Sequence, residues 1–75
     1  MPSNSEVNLC RIAWPVGLLK FKSALNDLCL CDVLEVLAQD PDVAENILMI
    51  VDRSEDTLIS HEKVGDVYRL SIQKG

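Results

Sequence analysis

The stretch Asp32-Val33-Leu34-Glu35-Val36-Leu37-Ala38-Gln39-Asp40-Pro41 decides how the chain folds. From Val33 to Ala38 the residues are almost all apolar, and two of the six are β-branched. Such a run marks a strand that is central in a sheet or covered on both sides. Asp40-Pro41 follows at once and opens a helix. An aspartate there can accept from the free N–H groups as N-cap, and proline suits the first helical position, where its missing N–H costs nothing. Asp42 and Glu45 then sit near the positive end of the helix dipole. Ala44, Ile47, Leu48 and Val51 recur at helical spacing, so a helix over 41–53 is predicted with that stripe buried.

Working outward from this pair, Pro15 is a second helix-start signal. Leu18, Phe21, Lys22, Leu25 and Leu28 follow it at helical spacing, with Leu19 alongside, which predicts a helix over 15–28. Lys20 and Lys22 flank that stripe, and their long stems can lie along a core edge. Before it, Val7 and Leu9 share one face of a short strand over 6–12, which would place Cys10 on the strand. After the second helix, 57–62 reads as a strand, Val64-Gly65-Asp66 as a turn, and 67–73 as a strand with Tyr68, Leu70 and Ile72 inward. The order is strand, helix, strand, helix, strand, strand. The expected architecture is an α/β two-layer sandwich, with two helices on one face of a four-stranded mixed sheet. The first two strands should be parallel through a right-handed crossover, and the last two should form a hairpin.

The 75 residues suffice for one small domain over 1–75, with a short flexible start at 1–5. Apolar residues make up 48% of the chain, but only Trp14, Phe21 and Tyr68 are aromatic, so the core must rest on Leu, Val and Ile. The net charge of −5 and the scattered Lys and Arg argue against nucleic acid, which needs a basic stripe. A cationic protein surface is the better match. No apolar run reaches the roughly 20 residues of a membrane helix, and the polar start lacks the order of a secretory signal. Cys10, Cys29 and Cys31 are too few and too unevenly spaced for a disulfide framework, so a cytoplasmic setting is expected.

Laid out in this way, the chain resembles the TusA/SirA sulfur-carrier family from about residue 7 to residue 74. That family opens with Leu-Asp-x-Arg-Gly-Leu-x-Cys-Pro-x-Pro and a helix rich in Leu and Lys. Here the run is Val7-Asn8-Leu9-Cys10-Arg11-Ile12-Ala13-Trp14-Pro15-Val16-Gly17, followed by Leu18-Leu19-Lys20-Phe21-Lys22-Ser23-Ala24-Leu25. The family continues with Gly-Asp-x-Leu-x-Val and an Asp-Pro helix start, and this chain has Cys31-Asp32-Val33-Leu34-Glu35-Val36 and Asp40-Pro41. Gly65-Asp66-Val67-Tyr68-Arg69-Leu70-Ser71-Ile72 is similar to the family's ending. The resemblance implies strand order one, two, four, three, with the fourth strand antiparallel to the others.

The departures fall on the chemistry. In the family, the cysteine before the first proline carries a persulfide at a helix N-terminus, where free N–H groups favour the anion. Trp14 stands in its place and has no nucleophile, and Gly17 replaces the second proline. The remaining candidates each have a plainer reading. Cys10 is the substitute thiol, or a small residue packed in a strand. Cys29 and Cys31 could form a soft-metal or redox pair, or be incidental thiols in a loop. A zinc site would want four ligands, and the first helix separates these two from Cys10, so no metal and no cofactor are expected. Trp14, Lys20 and Asp40 are candidate interface residues. Their plainer roles are core, solvated helix edge and helix cap.

The leading reading is a divergent TusA/SirA-like protein without the usual persulfide cysteine, acting as a protein-binding or regulatory module linked to sulfur relay. A cysteine desulfurase or another sulfur-relay protein is the partner this implies. One alternative is an active sulfur carrier, a sulfurtransferase using Cys10 or Cys29/Cys31. A second is a structural subunit unrelated to sulfur.

Overall fold

A computed structural model describes residues 4–14 and 16–75 as six successive elements. These are strand β1 (Asn4–Asn8), helix α1 (Val16–Asn26), strand β2 (Val33–Ala38), helix α2 (Pro41–Asp52), strand β3 (Thr57–Val64) and strand β4 (Val67–Gln73). The strands form one mixed sheet in the order β1-β2-β4-β3. β1 is parallel to β2, and β4 is antiparallel to both of its neighbours.

The apolar run of β2 is that of a central strand, and it is covered on one side only. Leu34, Val36 and Ala38 are buried, while Val33, Glu35 and Leu37 between them are half-buried. Across the ladder Ile72 faces Leu34 and Leu70 faces Val36, and both are buried. α1 and α2 lie over this face and complete a single core with it. The other face carries no helix and is mixed, with Val33, Leu37 and Val67 beside Glu35 and Arg69. There the Arg69 guanidinium donates to the Glu35 carboxylate. That hydrogen bond, then the charge of Glu35, holds the Arg69 pKa above its ordinary value.

The helices dock differently. α2 buries Val43, Ala44, Ile47 and Val51, so Val43 joins the expected stripe and Leu48 is only half-buried. Its start is as predicted: Asp40 is the N-cap, with Oδ1 accepting from the Asp42 N–H at 2.9 Å. α1 docks on a narrower face. Gly17 and Phe21 are its buried residues, whereas Leu18 and Leu25 of the predicted stripe are half-buried and Leu19 is 66% exposed.

Three boundaries differ from the sequence reading. β1 spans Asn4–Asn8 instead of 6–12, so Asn4 and Ser5 pair with Val33 and Leu34 instead of belonging to a flexible start. Met1, Pro2 and Ser3 of that start lie outside the described residues, as does Pro15. α1 ends at Asn26, and Leu28 closes onto Leu25 in a turn. β3 runs on to Val64, and Gly65 then turns the hairpin with φ of +61°, a conformation glycine adopts freely. β3 is an edge strand, exposed along most of its length, with a register shift between Leu58 and Ser60.

Candidate functional site

The predicted site begins where β1 ends. The Leu9 N–H donates to the Leu37 carbonyl at 2.7 Å, and the Asn8 Oδ1 then accepts from the Cys10 N–H at 2.9 Å. Asparagine thereby diverts the chain out of the ladder. The Ile12 N–H closes back on the Leu9 carbonyl at 3.2 Å. Cys10 is therefore in a turn, half-buried, and not on the strand where its spacing placed it. Arg11, third in this turn, has φ of 65°. That is the φ pattern of a type II turn, whose third position favours glycine.

Trp14 comes next, half-buried against the core. A Cβ added at Gly17 would lie 3.4 Å from the Trp14 ring, so the indole rests against this residue of α1. The Gly17 N–H also donates to the Ala13 carbonyl at 3.0 Å, a bond that proline at this position would forfeit. Trp14 and Gly17 act as a packed pair at the head of α1.

β1 and β2 are parallel, so their C-terminal ends lie together and bring Trp14 to the start of α2. Trp14, Asp40, Asp42, Glu45 and Met49 line a cleft of about 550 Å³. The structure thus joins two of the three candidate interface residues. Lys20 is exposed on α1 and does not line the cleft. Glu45 and Met49 were not singled out as interface residues. The signal for them was the spacing of Asp42, Glu45 and Met49 on one side of α2, which means little until the fold sets Trp14 opposite. Among the described residues the cleft offers carboxylates, an indole and a thioether, but no thiol. Its chemistry is that of holding a cationic, partly apolar group.

Cys29 and Cys31 are exposed at the opposite end of the sheet. The Asp32 N–H closes on the Cys29 carbonyl at 3.1 Å, and the Cys29 N–H donates to Asp32 Oδ2 at 3.0 Å. Cys31, third in this turn, has φ of 72° and bonds through its N–H to the Lys74 carbonyl. Among the described residues, no three His, Cys, Asp or Glu side chains are grouped to hold a metal ion. No helix there is long and apolar enough to cross a membrane.

Arg11 and Cys31 are the described non-glycine residues with positive φ. Releasing a left-handed residue of about 1–2 kcal/mol strain is offset by glycine's greater freedom when unfolded, about 0.4–1 kcal/mol. Arg11→Gly and Cys31→Gly should therefore each stabilise the chain by about 0.5–1 kcal/mol in urea titrations. Destabilisation by both would contradict this turn assignment. In comparisons with known proteins, no family model matches the chain, and no curated protein sequence matches it.

Proposed function

We propose that the chain is a divergent TusA/SirA-like domain that has lost the persulfide position and serves as a protein-binding or regulatory module in sulfur relay. The observation that carries this reading is Trp14. It occupies the residue where the family holds its cysteine, rests on Gly17 at the head of α1, and lines an acidic cleft with Asp40. A thiol at that place would meet the positive end of a helix. An indole there offers a docking surface instead, of a residue type enriched at binding hot spots. The turn geometry supports the alignment behind this reading. Arg11 and Cys31, both left-handed, stand at the two positions where the family pattern has glycine.

The partner is a protein with a cationic face, a cysteine desulfurase or another relay protein being the first choice. Neither of the other thiol sites is arranged as the family cysteine is. Cys10 sits in the turn before Trp14, and Cys29 and Cys31 lie at the far end of the sheet.

The test is incubation with a cysteine desulfurase and cysteine, followed by non-reducing intact-mass measurement. The desulfurase persulfide would pass its outer sulfur to an acceptor thiolate and regain its own thiol. The unmodified chain should gain little or no sulfur, and Trp14→Cys should gain one labelled position. Efficient labelling of the unmodified chain, abolished by Cys10→Ser, would replace this reading with that of a relocated carrier cysteine.

A further inference from the structure

The cover over the sheet thins along β3. His61 is directly opposite Leu70, so the two share a face of the sheet. Leu70 is 1% exposed beneath the helices, whereas His61 is exposed. Leu58, on the same face of β3, is only half-buried. The gap between the flank of α2 and β3 forms a hollow of about 550 Å³. Leu48, Met49, Val51 and Leu58 are its apolar lining. Glu45, Asp52 and Asp56 are its carboxylates, and among the described residues no Lys or Arg lines it. Lys63, further along β3, is turned onto the Tyr68 ring. Met49 is 49% exposed although it is flanked by this hollow and by the Trp14 cleft.

We propose that this hollow receives one Lys/Arg-rich amphipathic helix of a partner protein, packed beside α2 and over β3. The proposal rests on the reading of the chain as a binding module and names the class of partner segment. An apolar floor edged by carboxylates suits a helix whose apolar stripe has cationic flanks. Methionine adapts to differing apolar faces, which suits a groove that must accept a foreign stripe. The acidic lining and the net charge of −5 disfavour a second copy of this chain and nucleic acid as occupants.

The experiment uses the full chain and a synthetic helix-forming peptide with Leu on one face and Lys on the others. A counterpart carries Glu for every Lys. Amide chemical shifts locate binding and calorimetry measures it. The Lys peptide should shift Glu45, Met49, Asp52, Leu58 and His61, and bind more weakly as salt rises. Reversal of two groove charges, Glu45→Lys with Asp52→Lys, should weaken binding about tenfold or more. The same reversal elsewhere, at the exposed Asp27 and Glu6, should change it by less than about threefold. Met49→Ser should weaken it several-fold, showing that the apolar floor takes part.

Equal losses from both charge reversals would overturn the proposal in favour of general attraction to an acidic protein. Equal binding of the Glu peptide, or shifts centred away from α2 and β3, would also overturn it. So would a concentration-dependent dimer abolished by Glu45→Lys, since the occupant would then be a second copy. The sulfur-labelling experiment reports on Trp14 at the head of α1, so its failure and the failure of peptide binding are separate results.

Discussion

Phe21→Ala should bring the chain close to unfolding. Phe21 is fully buried and is one of the largest side chains in the core. Removing such a ring costs about 3–5 kcal/mol, through lost transfer free energy and the cavity left behind. A chain of 75 residues has a total stability of roughly 4–11 kcal/mol at typical values per residue. Leu25→Ala, on the same helix but half-buried, should cost less, about 1–2 kcal/mol. Cys29→Ser, at an exposed thiol, should stay within about 0.5 kcal/mol. Urea titrations of the three variants check the order. A larger loss for Leu25→Ala than for Phe21→Ala would mean that α1 docks on the face its sequence stripe suggested.

Ser71→Pro should abolish cooperative folding, whereas Ser71→Ala should be nearly neutral. Ser71 lies within β4, opposite Glu35 of β2 on one side and Ser60 of β3 on the other. Its side chain is on the face away from the helices and is half-buried. The alanine variant therefore tests the side chain and the proline variant tests the backbone. Proline in the interior of a strand bonded on both sides removes a ladder hydrogen bond and clashes with its neighbours. Circular dichroism melts separate the outcomes. A sharp transition retained by Ser71→Pro would place β4 at an edge of the sheet.

Much of the fold was legible because its signals are local. Asp40-Pro41 announces α2 with a cap and a proline that act within one turn, and both are used as expected. Gly65 likewise marks the hairpin. β1 was misplaced because its alternation, Val7 and Leu9, says nothing of the Asn8 side chain that ends it, or of the polar Asn4 and Ser5 that pair with β2. The α1 stripe was read by apolarity, which cannot see that Gly17 and Trp14 pack as a pair. The site was legible in part. Trp14 and Asp40 could be named singly, but their shared cleft depends on parallel pairing of β1 with β2. The hollow over β3 depends on where the helix cover ends, which no local pattern encodes.

The position of β4 also sets an order of events. Ribosomes deliver the chain from its N-terminal side, so β1, β2 and β3 emerge before the strand that lies between β2 and β3. Until β4 arrives, β2 presents one open edge along the largely apolar run Val33–Ala38. The β3–β4 hairpin closes through a local turn, on the order of 1–10 μs for such elements. Its docking onto β2 joins parts distant in sequence and is the slower step. Nascent chains paused before β4 should therefore be the species that chaperones hold and that aggregates recruit, even though the finished domain keeps that edge covered.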